Sequence, residues 1–366
     1  MRIESLAFSG FRNLKDGKID LSSGVNILYG DNAQGKTNVL EACWIFTGGK
    51  SFRGAKDSEL ITFHREKAAL SARFFAGERT QTADIEIVKR RSLTLNGVKQ
   101  KSPTAITGRF CAVVFCPAHL NLVSGAPEDR RRFIDSAYCQ LRPAYIQILA
   151  EYHKILTQRN ALLKMLKSGD GDKNSIVGQL SVWDEALATA AAKVTFARLK
   201  YIKKMLPECA AVYNGLSGGK EQLGIALQTA VTPSESVLEL YEQYRLKIAE
   251  ARLQDMAAGF STVGAHREDL LITLDGISAK DFGSQGQKRS CVLALKLAEA
   301  TLLKEVTGEQ PIALLDDVMS ELDIGRQDYI LNHIHDWQVL ITCCDHVAIE
   351  RQTGGKVFHI QNGEIL

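Results

Sequence analysis

The sequence predicts an α/β protein: one mainly parallel sheet assembled from both chain ends, with a mostly helical lobe inserted between them. Three observations lead there. Val25-Asn26-Ile27-Leu28-Tyr29, Ile312–Leu315 and Val339–Thr342 are short, mostly apolar runs, as expected of strands covered on both faces. From Pro127 to about Met205 the pattern is helical, in two long amphipathic runs parted by Ser168-Gly-Asp-Gly-Asp-Lys-Asn174. From about Ala68 to Phe115 it turns to alternating or β-rich runs, with Asn96-Gly97 as a hairpin turn. The chain therefore divides into a first lobe over 1–120, an inserted helical lobe over 121–258, and the rest of the first lobe over 259–366.

The remaining elements follow in order. Val25–Tyr29 enters a glycine-bearing loop, and Thr37 to Phe46 continues as a helix. After the helical segment come a strand near Leu223–Gln228, a helix near Ser234–Gln254 and a strand at Leu270–Leu274, turned by Asp275-Gly276. A helix from about Gln285 to Glu305 precedes the strand Ile312–Leu315. A helix near Leu322–His335 leads to Val339–Thr342, and Lys356–Leu366 reads as a hairpin turning at Asn362-Gly363.

Composition narrows the class. With 45% hydrophobic and 24% charged residues, the 366-residue chain is neither low-complexity nor fibrous. No apolar run approaches the ~18–20 residues of a membrane span, and MRIESLAFSGF lacks a signal peptide's apolar stretch, so a cytoplasmic protein without membrane contact is expected. A net charge of +3 requires any basic surface to be local. Eight cysteines without a Cys-x-x-Cys pair read as reduced thiols, not as a zinc or disulfide framework.

The chemistry begins at Gly30-Asp31-Asn32-Ala33-Gln34-Gly35-Lys36-Thr37, which fits G-x-x-x-x-G-K-T directly after a strand and at the start of a helix. The glycines let backbone N–H groups surround a triphosphate, and the helix adds its positive end. Lys36 is assigned to the β- and γ-phosphates of ATP and the Thr37 hydroxyl to Mg²⁺. Pro311-Ile312-Ala313-Leu314-Leu315-Asp316-Asp317 supplies two carboxylates at a strand's C-terminal end, where open α/β sheets bind ligands. Asp316 is the Mg²⁺-side acid, and Asp317 is placed to orient or deprotonate the attacking water.

A second anion site is expected where Phe282-Gly283-Ser284-Gln285-Gly286-Gln287 opens a helix. It resembles the signature motif of the ABC ATPase superfamily, which caps the γ-phosphate held by a second subunit. Ser320-Glu321-Leu322-Asp323 resembles that superfamily's D-loop, with Ser320 and Asp323 its site residues. Leu216-Ser217-Gly218-Gly219-Lys220 looks closer to the familiar signature, but a strand follows it, so it reads as a turn. Thr342, Asp345 and His346 stand where the superfamily has a γ-phosphate-sensing switch, and His346 is the candidate.

Taken together the residues resemble the RecF family of bacterial recombination-repair ATPases. The resemblance rests on Ser9-Gly10-Phe11-Arg12-Asn13-Leu14, the P-loop through Asn38, Pro117 to Asp135, Gly264-Ala265-His266-Arg267-Glu268-Asp269, Phe282–Gln287 and Leu315–Asp323. Ala118, Ala265, Glu268 and Lys288 depart from the usual pattern. The resemblance implies that Arg12 and Asn38 join the ATP site. It also implies an ATP-dependent homodimer that binds double-stranded DNA at gap junctions and helps RecO and RecR load RecA. Replication restart, the SOS response, slow DNA-stimulated hydrolysis without nuclease activity, and association with the nucleoid complete that expectation.

For the DNA surface, residues 128–168 hold eight basic side chains against four acidic ones. Arg130, Arg131, Arg132, Lys154 and Arg159 are the candidates for phosphate contacts. Other readings stay open at this point: another SMC-like ATPase head, a small-molecule P-loop kinase, or a transporter nucleotide-binding subunit.

Overall fold

The computed structural model describes residues 1–319, 322–345, 347 and 353–366. The three apolar runs are adjacent strands of one sheet. In chain order the elements begin β1 (Arg2–Ser9), β2 (Gly17–Asp20), β3 (Val25–Tyr29), α1 (Lys36–Ile45), β4 (Ala68–Ala76), β5 (Arg79–Ile87), β6 (Arg91–Leu95), β7 (Val98–Lys99) and β8 (Ala112–Phe115). Next come α2 (Asn121–Ser124), α3 (Pro127–Leu141), α4 (Tyr145–Ser168), α5 (Lys173–Ser217), β9 (Leu223–Gln228), α6 (Val237–Ala258), β10 (Asp269–Leu274), β11 (Ile277–Ser278) and α7 (Ala279–Phe282). The chain continues with α8 (Gln285–Thr307), β12 (Ile312–Asp316), α9 (Ile324–His333), β13 (Val339–Cys343), β14 (Lys356–Gln361) and β15 (Glu364–Ile365).

Two compact units result, residues 1–120 with 292–366, and residues 121–291. The expected boundary at 258 is therefore corrected to 291. The reason is hydrogen bonding: β10 pairs with β9 from Asp269↔Gln228 to Leu274↔Leu223, so a cut at 258 would split a sheet.

In the first unit one sheet runs β15-β14-β3-β13-β12-β8, with β14, β3, β13, β12 and β8 parallel. A second, antiparallel sheet runs β2-β1-β4-β5-β6-β7. One apolar core joins Leu70 and Phe74 of β4, Val39, Leu40 and Trp44 of α1, and Leu28, Leu340 and Leu314 of the parallel sheet. Helix α1, carrying the P-loop's last residues, is consequently held almost all round, and every residue of β12 and β13 is buried.

The second unit packs α4, α5 and α6 around Leu187, Ala188 and Ala190–Ala192, whose small side chains allow close approach. Helix α5 continues past the expected end near Met205 to Ser217, with Pro207 inside it. Pro207 is exposed, so water can serve the carbonyl it leaves unbonded, while Cys209, Val212 and Tyr213 hold the last turns by burial. No described helix is long and apolar enough to cross a membrane.

A buried polar network fixes this unit. Arg198 pairs bidentately with Asp135 (3.0 and 2.8 Å) and also binds Glu268 (2.8 Å) and the Ala265 carbonyl (2.6 Å). Glu268 accepts from Thr195 (2.6 Å) and Tyr244 (3.0 Å) as well. His266 faces the Ser261 carbonyl through Nε2 (3.0 Å), so Nε2 donates and Nδ1 accepts from the Tyr152 hydroxyl (2.7 Å). Burial, reinforced by Arg267 and Arg131, lowers the imidazole's pKa from 6.5 to about 4. The unfolded chain alone takes up this proton between those values. Stability should therefore fall by about 3 kcal/mol as pH drops from about 6.5 to about 4. Urea unfolding of wild type and H266N across that range checks it: the variant should show a shallower pH dependence.

Candidate nucleotide site

Strand β3 delivers the chain to Gly30, and α1 takes it up at Lys36. Gly30, Ala33 and Gly35 adopt φ of 149°, 65° and 114°, turning the backbone as a phosphate-cradling loop requires. A Cβ on Gly30 would lie 2.2 Å from the Ile360 carbonyl oxygen, so that position is closed to any side chain. The loop is clasped from two directions. Asn13 Nδ2 donates to the Ala33 carbonyl (3.1 Å), and the Asn362-Gly363 turn donates to Gln34 through both backbone N–H groups (2.6 and 2.9 Å). Asn38 donates to Asn13 Oδ1 (2.6 Å) and accepts from Arg53 (2.9 Å).

Lys36 is 8% exposed, and its ammonium donates to the Gly30 carbonyl (2.5 Å) and the Asp31 carbonyl (3.0 Å), with Cys344 Sγ at 3.6 Å. Among the described residues it forms no ion pair. A buried cation bonded only to neutral acceptors suits an anionic ligand. At the end of β12, Asp316 Oδ1 accepts from Thr37 (2.6 Å) and Thr342 (3.0 Å). Burial raises the Asp316 carboxyl above its ordinary pKa, against the pull of those two hydroxyls. Thr37 spends its proton on Asp316, which leaves its oxygen lone pairs able to ligate a cation. The donor set therefore fits Mg²⁺.

Thr342 bridges the two acids, because its hydroxyl also accepts from the Asp317 N–H (2.9 Å) and so supports Asp317 in the left-handed region at φ 53°. The parallel register places Asp316 beside Thr342 and Cys343 beside Tyr29, bringing P-loop and strand acids to one sheet edge. The switch position thus contains a positioning hydroxyl that sequence reasoning named only as a possible sensor.

Arg12 pairs bidentately with buried Glu41 of α1 (2.8 and 2.9 Å) and donates to the Glu59 carbonyl (2.9 Å), so two of its N–H groups brace the P-loop helix and a third ties it to the loop beyond. In the second unit, Ser284 and Gln287 form a reciprocal cap on α8. Ser284 N–H donates to Gln287 Oε1 (2.7 Å), and Gln287 N–H to Ser284 Oγ (3.2 Å). Gln287 Nε2 donates to Glu221 (2.5 Å), while Gln285 and Gly286 open the first helical turn. The Ser284 proton is not needed for the cap. Asp323 caps α9 through the Arg326 N–H (3.1 Å). Ser320 and His346 lie outside the described residues. Leu216–Lys220 is the end of α5 and its turn, with Gly218 at φ 64°.

Two of the five DNA candidates need correction. Arg130 is 3% exposed and forks onto Asp269 (2.6 and 2.8 Å), and Arg159 is fully buried against Asp184 and Asp255 (both 2.7 Å). Neither can reach a phosphate without breaking a buried ion pair. Arg131 donates to the Glu268 carbonyl (2.7 Å). Arg132 is exposed beside Glu128 (3.1 Å), and Lys154 is exposed.

Fold and site together define a P-loop ATPase head of the ABC type. A family model described as an AAA domain matches residues 5–171. The DNA replication and repair protein RecF of Lachnoclostridium phytofermentans is 37% identical, over 94% of this chain and 92% of its own length. That of Synechococcus sp. is also 37% identical, over 97% and 95%. A solved structure of the recombination mediator protein RecF with ATP, in the RecFOR pathway, superposes with a TM-score of 0.91 at 33% identity, covering 100% of this chain and 96% of that one. A Smc head bound to the C-terminal winged-helix domain of ScpA superposes at 0.54 with 15% identity, covering 100% and 97%, and shares the fold. The chain belongs to the RecF family of DNA replication and repair proteins.

Proposed function

We propose that the protein is an ATP-gated clamp on duplex DNA at gap junctions. The observation that carries the nucleotide part is Lys36, a buried ammonium without an ion pair among the described residues, beside the Thr37–Asp316 hydrogen bond. Lys36 and the loop from Gly30 to Thr37 hold the phosphates of ATP, and Arg12 and Asn38 keep that loop in shape. Thr37 and Asp316 hold Mg²⁺, which neutralises charge on the β- and γ-phosphates when bound. Asp317, supported by Thr342, orients the attacking water. Ser284, whose proton the cap does not use, donates to the γ-phosphate held by a second copy, with Gln285, Gly286 and Gln287 completing the signature turn, and Ser320 and Asp323 are the D-loop residues. His346 is the candidate sensor of hydrolysis.

ATP then touches two subunits and ADP loses the bridging phosphate, so the nucleotides differ in affinity for the closed dimer, as a switch requires. Slow DNA-stimulated hydrolysis reopens the clamp. Work with RecO and RecR in loading RecA, in replication restart and SOS induction at the nucleoid, completes the reading.

Sedimentation of wild type and Ser284→Arg with ATP or ADP tests it. Wild type should dimerise with ATP alone. The variant should bind ATP yet stay monomeric, because a guanidinium side chain fills the space where the partner's γ-phosphate must enter. Normal ATP-dependent dimerisation of the variant would refute the role given to Ser284.

A further inference from the structure

With Arg130 and Arg159 committed internally, the stripe over 128–168 loses two of its strongest cations, and another local charge surplus lies in the first unit. The loop after α1 (residues 49–57) and the β5–β6 turn with the first residue of β6 (residues 88–91) carry Lys50, Arg53, Lys56, Lys89, Arg90 and Arg91 against a single acid, Asp57. Arg91 joins the two segments: it donates to the Gly49 carbonyl (2.6 Å) and pairs with Asp57 (2.6 Å). The single acid is thereby neutralised from within.

Lys50, Lys56, Lys89 and Arg90 are exposed, and among the described residues none forms an ion pair. The neighbouring Glu59 accepts the Lys56 backbone N–H (2.9 Å). The cations stand on a braced loop. Trp44 Nε1 donates to the Lys50 carbonyl (2.8 Å), Ser51 bonds to Glu41, and Phe52 packs edge-on against Trp44. Arg53 reaches Asn38 in the P-loop helix (2.9 Å). Little conformational entropy remains for the loop backbone to lose on meeting a polyanion. Phe52, the sole aromatic of the two segments, is already packed, so the surface offers cations without a stacking platform.

We propose that this surface contacts the phosphate backbone of duplex DNA. The proposal rests on the clamp reading and adds where that clamp touches its duplex. It also places the contact on the loop that braces α1, next to the nucleotide.

The test measures binding of an ATP-loaded protein to a duplex of about thirty base pairs, across a series of salt concentrations. Wild type, K89A/R90A, K50A/K56A and, for comparison, K154A are used, with ATP affinity measured in parallel. Each double variant should bind duplex roughly ten- to thirtyfold more weakly near physiological salt, and its slope of log affinity against log salt should shrink by about two. ATP affinity should be unchanged, and K154A should lose less than either double variant. A wild type that ignores duplex DNA overturns the clamp reading and this surface with it. A wild type that binds, with double variants that match it in affinity and slope, overturns the surface alone.

Discussion

Lys36→Met should weaken ATP binding by at least roughly a hundredfold while the protein stays folded. Methionine retains most of the apolar stem, and the lost ammonium bonds only to two backbone carbonyls and a sulfur among the described residues. Removing a buried cation that has no ion pair among the described residues costs the fold little. For a triphosphate the change is severe. A charge-assisted hydrogen bond contributes about 1.5–3 kcal/mol, and Lys36 is placed to reach two phosphates, so about 3 kcal/mol or more is lost. Calorimetric titration with ATP, beside a thermal melt, separates the two effects. An unchanged melt with binding within about threefold of wild type would take Lys36 out of the site.

Arg198→Met should lower stability by about 3–5 kcal/mol, the largest fold effect expected from a single change. Its guanidinium is 3% exposed as a residue and satisfies two carboxylates from distant parts of the second unit, Asp135 of α3 and Glu268 before β10. Methionine fills the volume but leaves both acids facing a desolvated interior. Arg198→Lys should rescue only partly, since an ammonium cannot fork onto Asp135 while holding Glu268 and the Ala265 carbonyl. Arg132→Ala, which removes exposed contacts with Glu128 and Asp129, should cost under about 1 kcal/mol. Urea unfolding of the three variants decides the ranking; equal midpoints for Arg198→Met and Arg132→Ala would show that the network carries no stability.

The nucleotide site was legible because its parts are contiguous. A strand, a glycine loop and a helix within some twenty residues, and four apolar residues ending in Asp316-Asp317, state their geometry locally. The basic stripe was not legible, because counting charges along the chain cannot see partners across it. Arg130 meets Asp269, and Arg159 meets Asp255, each on an element about a hundred residues or more away. The same blindness set the lobe boundary too early, since β10 declares its partner β9 only once the sheet has formed. Glu268, marked in the sequence only as a departure from its family's usual residue, turns out to gather Arg198, Thr195 and Tyr244. Nor could spacing reveal that an Asn-Gly hairpin turn near residue 362 would grip Gln34.

That grip, and the pairing of β3 with β13 and β14, set an order of assembly during synthesis. On both sides β3 is bordered by strands that come after residue 338, whereas the second unit closes its core within residues 121–291. Emerging from the ribosome, the inserted unit can fold while the P-loop strand still waits for its neighbours. The nucleotide pocket is then finished only after residue 338 has been made, later than the core of the inserted unit.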